Sequence, residues 1–201
     1  MVLEAVIPQN YDVRWIKNTE FTGLDMDHNS REKIIVNKFS NITRFQPFAR
    51  VLMNNKYTGL LFLGVDYGTK VVGLATYHWG KDPFPLPYGK IVVKNQAQVI
   101  QDICEVIQAE GIEAVVLGLP FYTDGKESEM TKTVRKFGEA LQSQMPEIDF
   151  FTQDETLTSF EAQERMKNSP RYNFKVEPKQ LDALSASIIL EDFVKLYKVE
   201  E

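Results

Sequence analysis

The run Leu60-Leu61-Phe62-Leu63-Gly64-Val65 constrains this chain more than any other feature: it is continuously apolar and ends on an acid, Asp66. An unbroken apolar run of this length, rather than an alternating one, suits a strand covered on both faces at the centre of a sheet. The residues after it fit such a sheet. Asp66-Tyr67-Gly68-Thr69 supplies turn residues, and 71–77 reads as a second strand that closes a β-hairpin. A proline-rich loop, 82–87, leads to a third strand over 90–94. A helix over Gln96–Glu110 carries Val99, Ile103, Val106 and Ile107 at helical spacing, with Gly111 just past its end. Ala114–Leu119 reads as a buried strand. A second helix is expected over 127–144, with Met130, Val134, Phe137 and Leu141 on one stripe, and a fifth strand over 148–152. Thr158-Ser159-Phe160-Glu161 has the form of a capping box, with Leu157 and Ala162 placed as its hydrophobic staple. Pro178 opens the last helix, which continues to about Lys195.

The order is therefore β-β-β-α-β-α-β-α-α. Three leading strands imply a meander, and the later alternation implies parallel strands with crossover helices. The expected fold is α/β, a mixed five-stranded sheet flanked by helices. Residues 1–56 show no sustained period of two or 3.6, so they are expected to form a poorly ordered extension ahead of a domain spanning 57–201.

Composition narrows the function classes. No apolar run approaches the roughly 20 residues that span a bilayer, and the first residues lack the pattern of a secretory signal. The lone cysteine, Cys104, excludes an internal disulfide and a cysteine-based zinc cluster, and the chain reads as intracellular, in the cytoplasm. Net charge is −5, and residues 57–201 hold fifteen Lys/Arg against twenty-two Asp/Glu. A nucleic-acid-binding domain this acidic has to rely on bound metal and on local basic residues for its phosphate contacts.

The chemistry-bearing residues are acids at element ends. Asp66 closes an apolar strand, where a carboxylate is costly unless solvated, paired or bound to metal; a turn aspartate bonding the backbone at Gly68 is the plainer account. Asp154-Glu155 ends the fifth strand, at the side of an α/β sheet where ligand sites form, and either acid also suits the approaching helix N-terminus. The residues alone do not separate these two. Asp182, in the first turn of the last helix, shares a face with Ala186, Ile189 and Phe193, so it points toward the sheet; a helix-dipole role explains it equally well. If the acids converge, their repulsion is relieved by a hard divalent cation such as Mg²⁺ or Mn²⁺. His28 and His78, far apart and without ligand spacing, read as surface residues. Ser159 belongs to the capping box, and Cys104 reads as a core residue.

Five blocks, taken together, carry a family resemblance: Gly64-Val65-Asp66-Tyr67-Gly68-Thr69-Lys70, Val116-Leu117-Gly118-Leu119-Pro120, Asp124-Gly125, Asp154-Glu155-Thr156-Leu157-Thr158-Ser159, and Asp182-Ala183-Leu184-Ser185-Ala186. In order and spacing, over roughly residues 60–197, the chain resembles the YqgF/RuvX family. The resemblance implies an RNase H-like fold and a nuclease like Holliday junction resolvases, associated in bacteria with maturing the 5′ end of precursor small-subunit ribosomal RNA. It implies a catalytic acid triad at Asp66, Glu155 and Asp182, with Asp154 adjacent as a further metal ligand, and a structured-RNA or branched-DNA substrate. Two positions depart from the family: Val71 and Thr156 stand where basic residues are usual, which leaves Lys70 and Lys126 as the candidates for phosphate contact. Two other classes fit parts of the pattern. Asp-x-Gly-Thr also opens the phosphate loop of actin/Hsp70-type ATPases, which need a second domain that is not seen after Asp182. A non-catalytic nucleic-acid-binding or transcription-associated module fits the acidic charge.

Overall fold

The computed structural model describes residues 56–156 and 158–197, and all of them belong to one compact unit. Strands β1 (Leu61–Tyr67), β2 (Val71–His78) and β3 (Leu86–Val92) form an antiparallel meander; β4 (Ala114–Leu119) and β5 (Asp149–Asp154) add in parallel on the other side of β1. The sheet order is β3-β2-β1-β4-β5, which puts the apolar run at the centre. Helices α1 (Gln96–Glu110), α2 (Glu129–Gln144), α3 (Thr158–Lys167) and α4 (Pro178–Tyr197) complete the expected order, with a 3₁₀ turn at Pro170–Tyr172. The proposed extension lies almost wholly outside the described residues.

Strand alternation divides the core in two. Leu63, Val65 and Tyr67 face one side, where they join Val99, Ile103 and Ile107 of α1 and Val134, Phe137 and Leu141 of α2. Phe62 faces the other side with Val116, Phe151 and Trp79, and there meets Ala186, Ile189 and Phe193 of α4. Helix α4 is buried on nearly every side, because α3 packs on its outer surface through Ala162, Met166, Leu184 and Ile188. Its apolar surface is accordingly wider than the single stripe that the sequence displays.

Several local expectations shift. Asp66 and Tyr67 stay in β1 instead of turning: Asp66 pairs with Gly73 and Tyr67 with Val72, and the Tyr67 ring packs on Phe137. Strand β3 runs 86–92 rather than 90–94. It includes Pro87 because it is an edge strand with an irregular register opposite Leu74 and Ala75, where a missing N–H is tolerated. Helix α2 begins at Glu129, not 127, because Ser128 caps it. The capping box is Ser128 with Thr131, each side chain bonded to the other's backbone. Thr158 is already the first helical residue of α3, so it does not cap that helix; Leu157 lies outside the described residues. Asp182 is the fifth residue of α4 and opens its second turn, not its first.

Candidate active site

Asp66 shares its face of β1 with Phe62, hence with α4, and it is the pivot of the acidic site. Its register partner is Gly73 on β2. A side chain at Gly73 would collide with the backbone carbonyl of Asp182, so this glycine lets α4 descend onto the sheet beside Asp66. On the other flank of β1, Gly118 of β4 leaves room for Glu155. A Cβ there would meet the Glu155 carboxylate and would stand 2.6 Å from the Ile189 Cδ1. Glu155 is held at the strand end by its amide, which donates to the Leu119 carbonyl (3.1 Å), and by its own carbonyl, which accepts from Thr158 (3.0 Å).

The electrostatics link the three acids in a chain. The Asp66 carboxyl is pushed up to about 7, first by burial and then by the Asp182 charge; the counterweight is the Ser185 hydroxyl, which hydrogen-bonds the carboxylate. Glu155 is pushed up to about 8, first by burial and then by Asp66 and Asp154. Desolvation disfavours each charged form, and each neighbouring acid adds to that. Asp66 thus interacts with Asp182 on one side and Glu155 on the other. Among the described residues, no group of three His, Cys, Asp or Glu side chains is arranged to hold a metal ion.

Asp154 and Glu155, inseparable in the sequence, separate here. Asp154 falls on the opposite face of β5 from Phe151, because alternate residues face opposite ways. Its carboxylate accepts from the Thr156 amide (2.7 Å) and hydroxyl (2.5 Å), a closed turn of the kind aspartate favours. Thr156 is committed to that turn, and its hydroxyl also reaches the Phe121 carbonyl at 3.5 Å.

The basic candidates are peripheral. Lys70 stands exposed in the turn between β1 and β2. Lys126 lies in the loop after β4, where its ammonium pairs with Asp124 at 2.8 Å. His78 also faces a carboxylate, Asp82, at 3.4 Å. Cys104 is half-buried against the α1–α2 core, and burial pushes its thiol up. No helix of the described residues is long and apolar enough to cross a membrane. Gly73 lies outside the five sequence blocks and Gly118 and Ser185 lie inside them, and the sequence assigned none of the three a contact with the acids. The spacing of Ser185, three residues after Asp182 on one helix, was the available signal, since such residues are neighbours on a helix surface.

Comparison with known proteins bears on residues 60–196. The family model "RuvX: Holliday junction resolvase" matches residues 60–196. A protein of Maridesulfovibrio salexigens named "Putative pre-16S rRNA nuclease" is 32% identical over 135 residues, covering 66% of this chain and 96% of its own length. Proteins of the same name from Thermus thermophilus (33% over 132 residues, 65% of this chain and 93% of the relative) and Shewanella oneidensis (35% over 133 residues, 65% and 91%) are similar to it as well. Among solved structures, Thermus thermophilus RuvC aligns with a TM-score of 0.46 at 14% identity, over 68% of this chain and 95% of RuvC.

Proposed function

This chain belongs to the RuvX family, and from that premise we propose that it is a metal-dependent nuclease whose Asp66, Glu155 and Asp182 form the catalytic centre. Its meander, parallel pair and last helix make up the RNase H-like architecture. The reaction is hydrolysis: water adds to phosphorus, the P–O bond to the leaving strand breaks, and the proton from water ends on solvent or on the leaving oxygen. The relatives' names point to ribosomal RNA precursors and the family's to branched DNA, and both are nucleic acids with structured backbones.

One observation carries the reading. Asp66 feels the charge of Asp182 and Glu155 that of Asp66 and Asp154, and Asp66 and Glu155 are driven toward their neutral forms, first by desolvation and then by these neighbours; this pairwise coupling supports the reading. A fold that leaves space for this at Gly73 and Gly118 keeps costly groups that a hydrophobic replacement would avoid. The donor set fits a hard divalent cation, being carboxylate oxygens with a hydroxyl alongside and no soft ligand. When bound, Mg²⁺ or Mn²⁺ would polarise the phosphoryl group and lower the pKa of a coordinated water. The protein's own part is positional. Asp66 would be oriented by Ser185, Glu155 held over Gly118, and Asp182 brought in by α4. Asp154 serves through the turn it forms with Thr156, and Lys70 and Lys126 offer contacts to flanking phosphates.

The deciding experiment is cleavage of a substrate panel (structured RNA, single strands, four-way DNA junctions) with Mg²⁺ and with Mn²⁺, using Asp66→Asn as control. Metal-dependent cutting that Asp66→Asn abolishes is the expected result. Tight nucleic-acid binding without any cleavage would favour a non-catalytic module, for which Thr156 and Val71, lacking positive charge, are the supporting feature.

A further inference from the structure

The segment joining α3 to α4 holds an aromatic ring out of the protein. Tyr172, Phe174 and Val176 alternate along it. Tyr172 is buried against Met166 and Leu184, Val176 packs on the same cluster, and Phe174 between them is 62% exposed. The backbone accounts for the difference. Asn173 and Phe174 have φ of 52° and 59°, the left-handed region. Asparagine enters that region readily and phenylalanine rarely does. The turn is pinned by three amides: Asn173 donates to Pro170 (3.0 Å), Phe174 to Ser169 (3.2 Å) and Lys175 to Tyr172 (3.0 Å). A strained backbone that exposes an apolar ring is a combination that stability does not explain, and such outliers collect at functional positions.

The charges around the ring identify its occupant. Several basic side chains of this acidic unit are paired with acids: Arg135 with Glu127, Arg165 with Glu161 and Glu191, Lys132 with Glu129, Lys167 with Glu164, Lys195 with Glu191 and Asp192. Lys70, Lys81, Lys90, Lys94 and Lys136 are exposed and, among the described residues, make no ion pair, but they are dispersed over other elements. Arg171, Lys175 and Lys179 are exposed and make no ion pair among the described residues; Arg171 only lies over the Tyr172 ring. Cations flanking an upturned aromatic ring match a phosphate backbone with an accessible base. The patch leads directly into α4, and Lys179 lies three residues before Asp182.

We infer that Phe174 is a stacking platform for an unpaired base of the substrate, with Arg171, Lys175 and Lys179 holding the adjoining phosphates, so that this nuclease selects a single-stranded segment beside the bond it cuts. The inference rests on the nuclease reading for its substrate but not for its binding test. A base inside a duplex has its faces covered by its neighbours and offers Phe174 nothing, so discrimination between single strand and duplex is the signature.

The test uses the full chain carrying Asp66→Asn, so that nothing is cut. Fluorescence anisotropy is read with labelled single-stranded RNA and DNA and with the duplex of the same sequence. Phe174→Ala is expected to weaken single-strand binding about tenfold and to leave duplex binding unchanged, while Phe174→Tyr keeps both. Phe174→Gly should weaken binding equally yet hold or raise the melting temperature, because glycine relieves the left-handed backbone; a merely structural phenylalanine would do the reverse. Lys175→Gln with Lys179→Gln should reduce the slope of log affinity against log salt by about 1.4, roughly 0.7 for each single-strand phosphate released. Unchanged single-strand affinity in Phe174→Ala overturns the inference, as does an equal loss on duplex. A dimer dissociated by Phe174→Ala with oligonucleotide affinity intact assigns the ring to self-association and also overturns it. Phe174-dependent binding in a wild-type chain that cuts nothing with either metal sinks the nuclease reading and sustains this one.

Discussion

The Glu155 carboxylate occupies the space that a side chain at Gly118 would fill. These residues sit at the ends of adjacent parallel strands: Leu119 of β4 is in register with Asp154 of β5. An acid one residue past its strand thereby reaches over the neighbouring strand toward Asp66. Gly118→Ala is expected to push Glu155 aside and to press on Ile189. Cleavage should fall about 100-fold, the usual scale for a displacement near 1 Å in an active site, with a stability loss of about 1–3 kcal/mol from overpacking. Rates at saturating metal and a thermal melt check this; a variant that cuts at the wild-type rate would show that Glu155 needs no such seat.

Asp66→Asn should be inactive and still folded. Asparagine preserves shape while removing the charge that attracts a cation and repels Asp182. The expected signature is loss of nearly all cleavage with an unchanged or raised melting temperature in the absence of metal. An unfolded variant would instead make Asp66 a structural residue of the hairpin.

The metal-free protein should lose stability as pH rises from about 5 to 8. Asp66 titrates near 7 and Glu155 near 8 in the folded chain, while both ionise near 4 when unfolded. Between those values the native state binds more protons than the unfolded state, so the unfolding free energy falls with pH and levels off above the folded values. Melting temperatures across this range should decline, and the decline should be shallower in Asp66→Asn and with Mg²⁺ present. A flat profile for the metal-free wild type would contradict the burial and mutual repulsion of these acids.

Ser185→Ala removes the hydroxyl that favours the charged form of Asp66. The Asp66 carboxyl should rise further, and the acidic limb of the cleavage-versus-pH profile should move upward with it. Loss of a hydrogen bond to a charged group is worth about 1.5–3 kcal/mol, which sets a tenfold or greater drop in metal affinity as the scale. Titration calorimetry with Mn²⁺ and the pH profile measure the two effects; a profile that stays in place would remove Ser185 from the site.

A chain beginning at Met53 is expected to fold with unimpaired cooperativity. It retains Lys56 and Tyr57, which hold Asp149 of β5 by an ion pair (3.0 Å) and a hydrogen bond, with the Tyr57 ring buried in the α4 core. Insolubility or a far lower melting point would place part of residues 1–52 within the domain.

The order and kind of the elements were legible because they rest on neighbours in the sequence. Continuous apolar runs marked β1 and β4, helical spacing marked α1 through Val99, Ile103 and Ile107, and Pro178 marked the start of α4. The resemblance to the YqgF/RuvX blocks supplied Asp66, Glu155 and Asp182 as one set before any geometry. Where local expectation slipped, a partner strand or helix was the cause. Asp66 and Tyr67 look like turn residues until Gly73 and Val72 pair with them, and β3 looks too proline-rich for a strand until its place at the edge is seen.

What only the tertiary structure decided is which atoms meet. Asp154 and Glu155 are adjacent acids of equal promise, yet strand alternation sends Asp154 to the far face, where Thr156 captures it, and Glu155 toward Asp66. A shift of one residue in that register would exchange their faces. Gly73, Gly118 and Ser185 matter through contacts across many residues of chain, and Phe174 differs from Tyr172 and Val176 only in a backbone turn. Composition and period report what each residue does to its own stretch of chain. They carry no record of the distances between strands, and those distances bring half-buried carboxylates within reach of one another's charge and shift their pKa values.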